Sequence, residues 1–246
     1  MRWTSAGSAA MRMERGRKLY EGKWKILYEA EDRERLILTF KDVPSFRRAG
    51  RPSRVPGRGA LKARITSRLF EELGRQGIST HLLGVQGERD LLVRRLEMVR
   101  LEVVVRNVVA GSLAARLGME QGTPLPAPVL ELYYKSDALG DPLLNESHVF
   151  ALGLATTAEL RTIRETALRA NRALLPFLAE REILLADFKL EFGRHRGALV
   201  VGDELTPDGC RFWDRVTRER LGKDWSRVSP ARESARYQEI CARIAA

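Results

Sequence analysis

The segment Asp187-Phe188-Lys189-Leu190-Glu191-Phe192-Gly193 alternates charged and apolar residues. That is the period of a strand with one packed face and one polar face. Gly193-Arg194-His195-Arg196-Gly197 reads as a hairpin loop, and Ala198 to Glu204 as the returning strand. With Phe192 opposite Ala198, Asp203 falls opposite Asp187, so that Asp187, Glu191, Asp203 and Lys189 share one face. Like charges facing each other across a ladder repel. A divalent cation carrying phosphate oxygens relieves that repulsion, because hard oxygen ligands are what Mg²⁺ accepts. The plainer alternative is a solvated face bridged by Lys189, and a one-residue slip in the loop turns Asp203 to the other face.

Other residues fit the same chemistry. Glu21-Gly22-Lys23-Trp24-Lys25 places two ammonium groups at i and i+2 on one strand face, beside a Gly that lets a phosphate approach the backbone. Val103-Val104-Val105-Arg106-Asn107 is a buried-looking strand carrying an Arg, whose guanidinium needs an anion: either a bound phosphate or carboxylate, or Glu102 as a salt-bridge partner. Ser112 stands at the expected N-cap of a short helix, where amides and a hydroxyl hold an anion or simply cap the helix. Arg211 emerges just beyond the acidic hairpin, and Lys223-Asp224 with Arg227 supplies a basic loop over the same place. No segment resembles a Ser/His/Asp triad, a Cys nucleophile or a zinc cluster. Carboxylates, paired Lys and scattered Arg point to phosphoryl chemistry on an anionic substrate, where positioning and charge compensation dominate.

These residues need a scaffold, and 246 residues suffice for a full core in one domain or two small lobes. With 44% hydrophobic and 30% charged residues, the composition is that of a soluble protein. No apolar run approaches the ~20 residues of a membrane span. Cys210 and Cys241 make no disulfide framework, and His81, His148 and His195 have no ligand spacing, so a reducing cytoplasmic compartment is expected. The net charge is +11, but only eight of the 43 basic residues are Lys, and four of those (Lys23, Lys25, Lys189, Lys223) fall in the segments above.

Strands are expected at 19–28, 36–40, 91–96 and 101–109, with 97–100 as a connection. Helices are expected at 60–73, 112–118, 157–180 and 231–246, and loops at 43–59 and 122–147, the second broken by a strand at 130–134. Strands lead and helices follow, which gives an α+β fold. The expected organisation is a disordered N-terminal extension at 1–16, either a transit-peptide-like leader or residues ahead of a true start at Met11 or Met13, then a β lobe at 17–100 and a larger α/β lobe at 101–246.

Taken together and in order, several motifs resemble the SAICAR synthetase (phosphoribosylaminoimidazole-succinocarboxamide synthetase) family. They are Leu19 to Lys25 (LYEGKWK), Glu102 to Ser112 (EVVVRNVVAGS), Asp187 to Gly193 (DFKLEFG) and Gly202 to Asp214 (GDELTPDGCRFWD), with Tyr133-Tyr134-Lys135, Leu139 to Pro142 and Asn145-Glu146 between them. The resemblance spans about residues 18 to 224. It implies an ATP-grasp-like fold with an antiparallel β N-terminal lobe, an α/β C-terminal lobe and a nucleotide cleft between them. It also implies a reaction in which ATP converts the carboxylate of an aminoimidazole ribotide to an acyl phosphate that L-aspartate then displaces. On that basis Lys23, Lys25, Met98, Lys189 and Glu191 are expected at ATP, and Glu191 and Asp203 at Mg²⁺. Asp187, Lys189 and Arg211 are expected to be catalytic, and Arg106, Ser112, Arg211, Lys223 and Arg227 to hold the other substrates. The expected partners are the ribotide, L-aspartate and ATP within a homo-oligomer, with neither nucleic acid nor a membrane.

The sequence departs from the family pattern at Val43 to Gly50, at Lys62-Ala63-Arg64 where the family has Asn-Asn-Lys, and at Trp225-Ser226. These departures leave open a paralogue that amidates another heterocyclic nucleotide with aspartate. A third reading is a nucleic-acid binder using the acid-free run of Arg47, Arg48, Arg51, Arg54, Arg58, Lys62 and Arg64. Aromatic interleaving for base stacking is almost absent from that run.

Overall fold

The computed structural model describes residues 14–44, 54–223 and 229–246. Two sheets dominate, and every ladder between their strands is antiparallel. The first contains β1 (Lys18–Glu21), β2 (Lys25–Glu29), β3 (Arg35–Phe40), β4 (Leu82–Gly87) and β5 (Asp90–Arg94), in the order β1-β2-β3-β5-β4. The second runs β10-β9-β6-β7-β8, from β6 (Glu97–Val108), β7 (Pro124–Tyr134), β8 (Leu143–Leu144), β9 (Ile183–His195) and β10 (Ala198–Gly202). Its last strand, β11 (Cys210–Asp214), pairs with the N-terminal half of β9, and β10 pairs with the C-terminal half. The helices are α1 (Arg58–Arg75), α2 (Ser112–Leu117), α3 (Glu146–Ala151), α4 (Thr157–Ala179) and α5 (Pro230–Ala245). The fold is α+β, as expected.

The helices form where the sequence supplies both a stripe and a stop. Thr156 and Glu159 cap α4 reciprocally, satisfying two backbone N–H groups at its start. Leu160, Ile163, Ala167, Leu174 and Leu178 then bury one side of α4 on the second sheet. Each large aliphatic among them contributes about 1.5–3 kcal/mol. On the first sheet, Leu36, Leu38 and Phe40 alternate onto a smaller core with Leu91, Val93 and Ala63 of α1. α1 therefore touches β3, β4, β5, α4 and α5, and stands where the two sheets meet. Its start is tight: a Cβ on Gly59 would lie 2.6 Å from the Phe40 carbonyl oxygen.

Several expected boundaries change. The 19–28 strand is two strands, because Gly22 N donates to the Lys25 carbonyl at 2.9 Å and closes a turn. Residues 97–100 are not a connection but the start of β6, which continues past a register shift between Met98 and Glu102. β7 extends the expected 130–134 strand back to Pro124, into the expected loop. β4, with Gly84 inside it and a sheet edge for its position, carries too weak a pattern to stand out in sequence. Residues 14–16 are held rather than free: Arg15 Nη2 donates to both Asp90 oxygens at 2.8 and 2.6 Å, and Gly16 N donates to the Glu29 carbonyl. Residues 1–13 lie outside the described residues.

Candidate active site

The acidic hairpin forms, in a different register. Arg196 and Gly197 both take positive φ (50° and 81°), which makes a two-residue turn that follows the natural twist of the strands. The expected five-residue loop is therefore too long, and Phe192 faces Val201 rather than Ala198. The ladder ends at Gly202 opposite Glu191, and Asp203 turns away at φ 62°. The residue opposite Asp187 is Arg211 of β11. The repulsion expected between Asp187 and Asp203 is thus absent, and Asp187 faces a cation.

Between the two sheets lies a cleft of about 470 Å³ whose wall includes Lys23, Trp24, Lys25, Lys135, Lys189, Glu191, Asp203, Glu204, Asp208 and Lys223. Its lysines and carboxylates form a shared network of ion pairs. Lys189 Nζ bonds Glu102 Oε1 at 2.7 Å and Glu191 Oε1 at 2.8 Å, while Lys135 takes Glu191 Oε2. Lys25 pairs with Asp203 and stands 3.9 Å from Glu204 Oε2. Lys23, in the β1–β2 turn, pairs with Asp137 at 2.7 Å in an exposed contact. Burial pushes the Glu191 carboxyl up, but Lys189, Lys135 and Lys25 outweigh it and hold the group at about 2. Burial likewise lowers Lys189, against Glu191 and Glu102, which win and leave it raised. For Lys25, burial wins over Glu204 and Glu191, and the ammonium is lowered.

Four residues further back on β9, ~13 Å along the strand, the pairing is of another kind. Asp187 Oδ2 accepts from Arg106 Nη1 at 2.9 Å and from Arg211 Nη1 at 2.7 Å, all of them buried. Arg106 spends its remaining donors on Glu131 (2.6 Å), the Ala110 carbonyl, Ser112 Oγ (3.2 Å) and Tyr133 Oη (3.2 Å). The expected Arg106–Glu102 bridge is not made, since Glu102 belongs to Lys189. Ser112 is the first residue of α2 rather than its cap, and the cap position is Gly111. Gly111 must be Gly: at φ 54° it lies against the Arg211 guanidinium, and a Cβ there would fall 2.2 Å from Nη2. Lys223 joins the two ends, lining the cleft with its ammonium lowered by burial and by Arg211.

The structure brings Lys23, Lys25, Lys189, Glu191, Asp203 and Lys223 to the cleft, and Asp187, Arg106 and Arg211 to a buried cluster with the exposed Ser112 at its edge. Asp187 thereby leaves the group of carboxylates expected around a metal. Met98 is off the cleft wall, exposed on β6, and would contact a Cβ at Gly202. Arg227 lies outside the described residues. Reading the sequence missed Lys135, Glu204, Tyr133 and Glu131 as site residues. Glu131 and Tyr133 fall in the expected 130–134 strand and Lys135 just beyond it, but the sequence alone does not show that this strand pairs with β6, which is what brings it to the site. The basic run does not form one exposed surface, since Arg58 and Lys62 are buried in ion pairs with Glu233 and Asp208. Among the described residues no helix is long and apolar enough to cross a membrane.

A family model described as SAICAR synthetase matches residues 18–244. The phosphoribosylaminoimidazole-succinocarboxamide synthase of Desulfitobacterium hafniense (strain DSM 10664 / DCB-2) is 44% identical over 94% of this chain and 98% of its own length. That of Thermococcus kodakarensis is 46% identical over 92% and 96%. Among solved structures, a SAICAR synthetase (Type-2) in complex with ADP superposes with a TM-score of 0.86 at 44% identity, covering 92% of this chain and 96% of its own. The Pyrococcus horikoshii OT3 SAICAR synthetase (Type-1) gives 0.84 at 43% identity, over 90% and 97%.

Proposed function

Since the chain belongs to the SAICAR synthetase family, we propose that it is the ATP-dependent ligase that joins L-aspartate to the carboxylate of 5-amino-1-(5-phosphoribosyl)imidazole-4-carboxylate in purine biosynthesis. The observation that carries this reading is the cleft in which Lys23, Lys25, Lys135 and Lys189 face Glu191 and Asp203, backed by a buried arginine pair. The two sheets would be the lobes of an ATP-grasp-like cleft, with the nucleotide between them.

The chemistry needs two displacements. The ribotide carboxylate oxygen attacks the γ-phosphorus and ADP leaves with the bonding pair. The aspartate amine then attacks the acyl carbon, phosphate leaves with the C–O pair, and the amine gives up a proton. Both steps gather negative charge, and fixed cations are what the chain supplies against it. Lys23, Lys25, Lys135 and Lys189 are assigned to the polyphosphate. Arg211, Ser112 and Lys223 are assigned to the ribotide, with Arg106 holding Asp187 and Ser112 in place; Arg227 is carried by the family resemblance alone.

Mg²⁺ fits the residues present. No group of three His, Cys, Asp or Glu among the described residues could hold a metal by itself. Two carboxylates, Glu191 and Asp203, completed by phosphate oxygens, is however a set this cation accepts. Glu204 stands next to them, with Oε2 buried and without a hydrogen-bond partner. Held by Glu191 and Asp203, the cation would supply positive charge against the charge developing on the phosphates.

The test is ADP release in a coupled assay with ATP, L-aspartate and the purine ribotide, each omitted in turn. ADP release that requires all three is expected. Release with another heterocyclic ribotide and none with this one would favour the paralogue, which the relatives above do not.

A further inference from the structure

The two walls of the cleft are joined from behind by an ammonium that the proposed chemistry does not use. Lys62 lies on α1 with a fully buried side chain. Its Nζ makes an ion pair of 2.6 Å with Asp208 Oδ2, in the turn between β10 and β11. The same Nζ stands 5.5 Å from the ring centroid of Trp24, in the turn between β1 and β2, close enough for a cation–π attraction. Trp24 and Asp208 both line the cleft, and Lys62 stands behind them. One helical turn on, Thr66 Oγ1 donates to the Leu205 carbonyl at 3.2 Å, tying α1 to the same turn.

This arrangement works against local preference. Arg58, the first residue of α1, is also buried, paired with Glu233 at 2.7 Å and 3.6 Å from Asp208 Oδ1. A helix N-terminus favours anions, yet the first turn of α1 contains no acid. Two buried cations at this end are costly unless carboxylates from elsewhere balance them, and here they come from the cleft turn and α5. Positions that break a local rule at some cost are where function concentrates.

We propose that Lys62 is a positioning residue that sets the spacing between the two phosphate-facing walls. The proposal rests on the nucleotide reading above. Trp24 separates Lys23 from Lys25, so a ring pinned by Lys62 fixes where those ammonium groups project. Gly209 follows Asp208 and lies against the stem of Lys189, with a Cβ there falling 3.9 Å from that of Lys189. One buried ammonium thus couples Lys25 on the first sheet to Lys189 on the second, and a polyphosphate must meet both at once.

The test is calorimetric titration of ADP with Mg²⁺, run beside thermal unfolding, on wild type, Lys62→Met and Lys62→Met/Asp208→Asn. Lys62→Met strips Asp208 of a partner and is expected to lower Tm. The double variant removes both charges and is expected to recover it. Positioning predicts that both variants bind ADP about three- to thirtyfold more weakly, the range typical of coupled networks. Asp208→Asn is titrated by itself as well, so that its own effect on ADP affinity is separated from that of the double variant. Because Lys62 acts through Trp24, adding Lys62→Met to Trp24→Leu is expected to cost less than it costs wild type. Wild-type ADP affinity in the folded double variant, or fully additive losses with Trp24→Leu, would overturn the proposal. A wild-type protein that binds no ADP would overturn the nucleotide reading itself, and the proposal with it.

Discussion

One strand, β9, serves two ends of the site that are built on opposite principles. At the Glu191 end, the cations are lysines on flexible stems: Lys135 is 44% exposed, and Lys189 and Lys25 are each below 20% but face the cleft. At the Asp187 end they are arginines, at 4% and 8%, locked against a single carboxylate oxygen. An ammonium is a point charge that can trade one anion for another, whereas a guanidinium fork is fixed by its geometry. The lysine end is therefore suited to exchanging one anion for another. The arginine end is suited to holding a shape that is already set.

The largest expected effect lies at the arginine end. Asp187→Asn leaves two buried guanidinium groups short of an anion and is expected to cost about 3–5 kcal/mol of stability in urea unfolding. Lys135→Ala, half-exposed at the other end, is expected to cost less than about 1 kcal/mol. A tolerated Asp187→Asn would break the contrast at once. Next comes turnover: Asp203→Asn is expected to reduce it about a hundredfold or more while far-ultraviolet circular dichroism stays unchanged. Near wild-type turnover at limiting Mg²⁺ would remove Asp203 from the proposed cation site.

The register of β9 shows what reading the sequence can and cannot reach. The alternation from Asp187 to Phe192 was enough to place Asp187, Lys189 and Glu191 on one face, and they are on one face. It could not fix what lies across the ladder, because that depends on a turn of two residues rather than five, and Arg196 gives no sign that it will adopt positive φ. Asp203 was therefore placed opposite Asp187, where Arg211 stands. Similarly, α4 is readable from its apolar stripe, whereas β4 and the first half of β7 are poorly patterned. The expected 130–134 strand holds Glu131 and Tyr133, but nothing local shows that it lies beside β6, where the two residues meet Arg106. Lys62 appeared only as one cation in a basic run, since nothing local shows that a lysine is buried when its partner lies 146 positions on.

A smaller effect sharpens the account of the lysine end. Glu191 is held near 2 in the fold against 4.5 ordinarily, so its contribution to stability is fully present above about pH 4.5 and is lost as pH falls toward 2. Acid unfolding of Glu191→Gln is accordingly expected to be less steep than that of wild type across that window. Equal slopes would show that the three lysines do not stabilise the carboxylate. Smallest of all, Asp137→Ala breaks only the exposed pair with Lys23 and is expected to leave the midpoint of thermal unfolding unchanged.

The central claim is that the two ends take different ligands, and crossed titrations test it most directly. ATP with Mg²⁺ and the ribotide are each titrated by calorimetry into Lys25→Ala and Arg211→Ala. Lys25→Ala is expected to weaken ATP by about ten- to a hundredfold, the worth of a charged hydrogen bond of about 1.5–3 kcal/mol, and to leave the ribotide nearly unchanged. Arg211→Ala is expected to do the reverse. Equal losses of ATP affinity in the two variants would contradict the division of the site into a nucleotide end and a ribotide end.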